Sequence, residues 1–482
     1  MPISEYDVII LGAGMSGIAM GHALRQAGRH DFLILEEATG IGGTWWHNRY
    51  PGAQCDVPSH LYCFSFAPNP NWSHVYARGD EIQRYADDCV DRLGLRAHLC
   101  LGTKIESAAY IPESGRWLIK TGSGQEYSAR HFVASMGPLH RPRLPDHVQS
   151  FHGTILHTAR WDSSIDLTGK RVAVIGTAAS AVQLIPAIVD RCQHLDVYQR
   201  SPSWVVPRGD QPYSVRMRRW LAKPLIGRVY RWALYVGTEA TFPAFRHRGF
   251  MPRVLRWVAT HHLAKHVRDP ALRARLTPNY PVGCKRVLLS DEFFPSIQKD
   301  NVTVHGAAHG FAPSGIINAN GETTPADVLI CATGFDTLAP LGQIKITGLS
   351  GQTLAQRWAE GPEAYRGTTV DGFPNFWLLL GPNTGTGHTS VLIPIEAQAQ
   401  YISRCIQQLD STSAKAMVVR PEVLRNHNND LQLKLKKTVW ASPQCSSWYK
   451  TSEGRVLGTF PGFISQFSFS LRRPRLGDYQ FL

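Results

Sequence analysis

The sequence predicts an α/β chain built on two units of strand, glycine turn and helix, with a helical segment set into the second unit. Three observations predict it. A short apolar run leads into a glycine turn and then a helix-forming stretch at residues 6–26, and the same succession recurs at residues 171–188. Residues 211–276 instead place apolar and basic residues at helical spacing, as in Trp220, Leu221, Leu225 and Val229 among Arg216, Arg219, Lys223 and Arg228.

Composition sets the frame. With 482 residues the chain can form two or three domains, each burying its own core. A hydrophobic content of 43% with 18% charged residues belongs to ordinary globular proteins and excludes a disordered chain. No apolar run reaches the roughly 18 residues of a membrane span, and the first one, residues 8–11, has no basic leader. The expectation is therefore a cytosolic (cytoplasmic) protein without a signal peptide. Nine cysteines without a C-x-x-C pair argue against a disulfide framework, a thioredoxin-like dithiol or a zinc cluster, so reduced thiols and no metal are expected. The net charge of +14 is concentrated: residues 211–276 hold 14 Lys or Arg against Glu239 and Asp269. An excess so local is not read as a nucleic-acid footprint, and no nucleic-acid partner is expected.

The first unit ends its strand in Gly12-Ala13-Gly14-Met15-Ser16-Gly17. Glycines there permit a tight turn and let backbone approach a pyrophosphate, whose charge meets the helix N-terminus. The next apolar run ends at Glu36, 24 residues after Gly12. A carboxylate at that place accepts from a ribose 2′-hydroxyl and repels a 2′-phosphate, so the loop suits FAD or NAD better than NADP.

The second unit runs into Gly176-Thr177-Ala178-Ala179-Ser180-Ala181, with alanine at 178 where the middle glycine is expected. Its following strand ends at Arg200, again 24 residues after the first glycine. An arginine grips a 2′-phosphate through two parallel hydrogen bonds, so this unit is assigned NADPH and the first FAD.

Between the loops lies residues 151–162, FHGTILHTARWD, with the pattern F-x-G-x-x-x-H-x-x-x-W-D. After the first loop comes Gly42-Gly43-Thr44-Trp45, followed by Tyr50-Pro51-Gly52 and Asp56. These two signatures resemble those of the Baeyer–Villiger monooxygenases, and the likeness extends from Gly12 to about Phe463. The resemblance implies two Rossmann-like domains, the NADPH domain (residues 145–325, with the helical insertion 211–276) nested in a discontinuous FAD domain (1–144 and 326–482). Residues 133–139 and 327–336 resemble the outward and return crossings.

The resemblance also implies roles. Gly43, Thr44, Trp45 and Tyr62 would lie along the flavin, with Asp56 in the active site. Arg200 and Ser201, in Gln-Arg-Ser-Pro, and Lys285 would hold the NADP phosphate. Arg286 would stand beside the flavin, anchored by Asp56, where a fixed guanidinium stabilises an anionic peroxide and the alkoxide of the ketone adduct. Asn383, in a glycine-rich turn ahead of a helix, suggests a flavin contact through backbone N–H groups, and Trp448 a contact in a loop closing on NADP. The insertion would cover the substrate cavity with solvated arginine faces. Contact with a membrane surface is the less favoured alternative.

The expected function is thus FAD- and NADPH-dependent insertion of one oxygen atom of O₂ next to a ketone carbonyl, through a C4a-peroxyflavin, to give an ester or lactone. The alternatives are an N- or S-oxidising flavin-containing monooxygenase and a catalytically degenerate FAD-binding redox module.

Overall fold

The computed structural model describes residues 3–337, 341, 343–451 and 453–482. Among these the chain forms two parallel-centred sheets. The first runs, edge to edge, through the strands Lys345–Thr347, Ile105–Ile111, Arg116–Thr121, Glu126–Ala134, Ser4–Leu11, Phe32–Leu35 and Leu99–Cys100. Phe376–Leu378 adds a further parallel strand beside Glu126–Ala134. The second sheet is wholly parallel and runs Val302–His305, His194–Tyr198, Arg171–Ile175, Val328–Cys331, Thr154–His157.

Central strands buried on both faces must be apolar throughout, as parallel sheets covered by helices require. Val8, Ile9 and Ile10 are fully buried, and so are Val172, Ala173 and Val174. Helices Met15–Gln26 and Leu392–Asp410 bury Ile18, Leu24, Ile395 and Ile402 in the core of the first unit. Helix Ala179–Ile188 buries Val182, Leu184, Ile185 and Ile188 in that of the second. The Val328–Cys331 strand lies inside the second sheet, hydrogen-bonded to Arg171–Ile175 and Thr154–His157. This corrects the expected return to the first unit at residue 326: the strand pairs before the chain leaves, and the crossing follows Cys331.

The insertion forms helices Val215–Leu221, Pro224–Glu239, Phe250–His266 and Pro270–Leu276. Pro224–Glu239 lays Ile226, Tyr230, Leu234 and Tyr235 against the core of the first unit. Arg231, on the same side, donates to the carbonyls of His60 and Cys63 at 2.7 and 2.8 Å. At its C-terminal end Glu239 is tied down, accepting from the backbone N–H groups of Ile464 and Ser465 and pairing with His388 Nε2 at 2.9 Å. The outward side carries an apolar stripe in addition to the solvated arginines expected from the sequence. Leu225, Val229, Trp232 and Val236 stand there exposed, with Arg228 among them.

The expectation that the cysteines are reduced is also corrected. Cys284 and Cys445, 161 residues apart in sequence, are joined by a disulfide with their Cα atoms 5.4 Å apart. Neither belongs to a short-range pair, so spacing alone carried no sign of it. The other seven are free thiols, six of them buried. Among the described residues no helix is long and apolar enough to cross a membrane, and no cluster of His, Cys, Asp and Glu could hold a metal.

Candidate active site

The first glycine turn is built for close backbone approach. Gly12 has φ +100°, and a Cβ at Gly17 would lie 1.9 Å from the Gly12 carbonyl oxygen, so only glycine lets the helix seat on the turn. Gly43, φ +55°, faces Gly14: a Cβ on Gly43 would come 3.0 Å from the Gly14 Cα. The helix Thr44–His47 starts at that point, stacking Trp45 edge-on to Tyr62 and donating from its indole to the Tyr62 hydroxyl at 3.0 Å. Glu36 is buried at the end of its strand, and its two carboxylate oxygens accept from Ala13 N–H at 2.7 Å and Ala38 N–H at 2.8 Å. Burial raises its pKa, against the pull of those two donors. The carboxylate thus braces the turn and keeps further lone pairs for a ribose, so the loop fits the adenosine end of FAD.

The Tyr50–Asp56 signature bridges the two units. Tyr50 donates to Gln183 Oε1 at 2.8 Å, and Gln183 Nε2 donates to the Gln54 carbonyl at 3.0 Å. Gly52, φ +80°, lies so close to the second unit's helix that a Cβ would be 2.4 Å from the Gln183 carbonyl oxygen. This packing delivers Asp56 to the seam. There Arg286 Nη2 donates to Asp56 Oδ1 at 2.6 Å and Arg286 Nε donates to Oδ2, a two-point fork. Burial alone would raise the Asp56 carboxyl, but the charge and hydrogen bonds of Arg286 outweigh it and hold the pKa low. The Arg286 pKa is raised, with Asp56 the main cause. Each group thus favours the charged form of the other.

Sequence reasoning missed two members of this cluster. Arg208 is buried, donates to the Cys55 carbonyl at 2.8 Å and stacks over Tyr76. Tyr449 is buried against Arg286, and burial raises its pKa while that arginine lowers it. Trp448, the residue expected to contact the cofactor, is 44% exposed, and it is its neighbour that reaches the arginine. Tyr449 was legible as part of Cys-Ser-Ser-Trp-Tyr; Arg208 carried no motif. Behind Tyr449 stands an aromatic wall, with Phe245 and Trp440 stacked 5.6 Å apart and a Cβ at Gly387 meeting both.

The second loop repeats the first turn. Gly176 has φ +109°, and a Cβ there would lie 2.6 Å from the Ala332 carbonyl oxygen. Ala178 adopts φ −89°, ψ −164°, an extended geometry open to any residue, so the turn does not need the missing glycine. Helix Ala179–Ile188 follows, with Ser180 in its first turn and Ala181 buried. Ser203 Oγ donates to the Thr177 carbonyl at 2.9 Å, and Lys285 Nζ donates to Ser201 Oγ at 2.8 Å. Burial and then the nearby Arg200 charge lower the Lys285 pKa. Arg200, Ser201 and Lys285 thus meet at one place, a donor set suited to a phosphate dianion, and the loop fits NADPH.

Asn383 departs from expectation. It sits at φ +58°, its backbone N–H donates to the Leu457 carbonyl, and its side-chain amide donates to the carbonyls of Val456 and Thr459. Every N–H it owns is committed to fixing the loop, which leaves none for a flavin. The FHGTILHTARWD segment is likewise scaffold. Phe151 is buried against Gly153, Thr154–His157 is an edge strand, and Asp162 caps Ser164 at 2.9 Å. His157 sits at the crossing, its ring edge-on to Phe335, and burial lowers its pKa to about 4, so it is neutral.

Known proteins agree with this geometry. A family model described as pyridine nucleotide-disulphide oxidoreductase matches residues 9–225. The solved structure of an oxidized steroid monooxygenase bound to NADP is similar, with a TM-score of 0.89 and 30% identity, covering 99% of each chain. An OTEMO complex with FAD and NADP superposes with a TM-score of 0.89 at 26% identity, covering 100% of each. A Baeyer–Villiger monooxygenase of Streptomyces coelicolor is 39% identical over 98% of this chain and 92% of its own length. On that near full-length identity, the chain belongs to the Baeyer–Villiger monooxygenase family.

Proposed function

We propose that this protein is an FAD- and NADPH-dependent monooxygenase that places one oxygen atom of O₂ beside a ketone carbonyl to give an ester or lactone. The observation that carries the reading is the Arg286–Asp56 fork at the seam of two glycine-loop units whose matched positions hold Glu36 and Arg200. The first unit would hold FAD and the second NADPH, which together would supply the electrons for activating O₂. The chain's own residues do the rest. Arg286 keeps a permanent positive charge where negative charge develops on the ketone oxygen, and Asp56 fixes its plane through two hydrogen bonds. Because Asp56 stays ionised, it orients and does not donate a proton. Tyr449, held against the guanidinium, and the Phe245–Trp440 stack wall off one side of that place from water. Lys285 and Arg200 grip the phosphate that distinguishes NADPH from NADH.

The test is Arg286→Ala assayed in two stages. Anaerobic bleaching of the flavin by NADPH should persist, whereas ester formation with a panel of simple cyclic and steroid ketones in air should disappear into H₂O₂ release. A variant that still makes ester overturns the role of Arg286. A wild-type protein that bleaches but yields only N- or S-oxides from amine and thioether controls overturns the ketone reading.

A further inference from the structure

The outward face of helix Pro224–Glu239 is the least expected surface of the molecule. Leu225, Val229, Trp232 and Val236 fall at successive turns, and they are 74, 56, 64 and 43% exposed. Surface helices place polar residues on the side away from the core. This one is apolar on both sides: the inner stripe is docked on the first unit, and the outer one is uncovered. The adjoining helix Val215–Leu221 extends the pattern, with Trp220 55% exposed.

Charge follows the same surface. Arg216, Arg219 and Arg228 are exposed on these two helices, and Lys223 at their junction. Neither carboxylate of residues 211–276 pairs with them: Glu239 is buried against His388, and Asp269 accepts from backbone N–H groups at the start of Pro270–Leu276. The surface thus sets exposed Trp220 and Trp232 and the aliphatic side chains beside cations that form no ion pair among the described residues.

We propose that this face docks on an anionic lipid bilayer, with the Leu225–Val229–Trp232–Val236 stripe entering the interface and the flanking arginines meeting lipid phosphates. Tryptophan seats at the boundary between acyl chains and headgroups, and basic residues near it add attraction for anionic lipid. A second copy of the chain is a poorer occupant. A two-fold contact through one patch sets the patch against itself, and here it would press one cationic rim on another. With no membrane-crossing helix among the described residues, the attachment is peripheral.

The experiment is co-sedimentation of the FAD-loaded full-length protein with vesicles of phosphatidylcholine alone or of equal parts phosphatidylcholine and phosphatidylglycerol. Binding to the anionic vesicles that persists at physiological salt, with little binding to the neutral ones, is the expected result. Leu225→Ser with Trp232→Ser should weaken that binding by about tenfold or more, and Arg216→Glu with Arg219→Glu should abolish its lipid selectivity. Flavin content and NADPH-driven bleaching of both variants should match the parent, which shows that they fold and keeps this result separate from the ketone reading. Absence of sedimentation, equal binding to both vesicles, or a dimer that the serine variant dissolves would each overturn the proposal.

Discussion

The two glycine-loop units are nearly the same object in backbone and opposite in side chain. In each, a first glycine at φ +100° or +109° packs on the residue just past a parallel strand, Ser135 in one and Ala332 in the other. In each, a charged residue 24 positions on stands just past the next strand. The difference lies in how that residue is held. Glu36 is buried and bonded to two backbone N–H groups, whereas Arg200 is exposed, and no carboxylate among the described residues pairs with it. One charge is part of the fold. The other waits for a ligand. Equivalent positions in a repeated unit are thus held in opposite ways, one braced inside the fold and one left open, and the proposed allocation of FAD and NADPH rests on that difference.

That contrast can be broken most sharply at Glu36. Glu36→Ala leaves the buried N–H of Ala13 and the part-buried N–H of Ala38 without their acceptor, at about 1–3 kcal/mol for the buried one, so the flavin-free protein should melt several degrees lower in calorimetry and the purified variant should lose FAD. An unchanged melting temperature would mean that the carboxylate is not a brace. The sign of its pH dependence is also set. A folded pKa raised by burial favours the protonated form, so Glu36 stabilises below the ordinary glutamate range and that contribution fades as pH rises through the raised value. Stability curves of Glu36→Gln should therefore be flatter in that window than those of the parent.

Arg200→Ala should act only on the ligand. Losing charge-assisted hydrogen bonds to a phosphate predicts a KM for NADPH raised on the order of ten- to a hundredfold, with KM for NADH and the melting temperature of the ligand-free protein unchanged. Equal shifts for both coenzymes would remove the assignment. The smallest effect belongs to Ala178→Gly. Because Ala178 already has an extended backbone, the substitution should cost only about 0.4–1 kcal/mol through the unfolded chain and change KM for NADPH by less than about twofold. A large gain in NADPH affinity would show that the methyl group had obstructed the pyrophosphate.

The Asp56–Arg286 seam and the fingerprint segment differ in how legible they were. Asp56 and Arg286 were readable because their neighbours, Tyr-Pro-Gly and Lys-Arg, form local patterns, and the structure brings the pair together across 230 residues. Residues 151–162 carry the strongest pattern and none of the seam. Its phenylalanine, glycine and histidine answer to packing at the crossing, where Gly153 has no room for a Cβ beside Phe151 and the Asp327 carbonyl. A strong motif can mark a fold constraint as readily as a chemical one.

By itself the sequence determined the two units, their order and the charge that ends each second strand, because strand, glycine turn and helix are short-range patterns set by periodicity and backbone sterics. Only the tertiary structure decided which side chains share the seam. Arg208, Tyr449 and the Cys284–Cys445 link arrive there from distant loops. It likewise decided which face of the Pro224–Glu239 helix is covered, since a helix with apolar residues on two sides can bury either one, and packing against the first unit makes the choice.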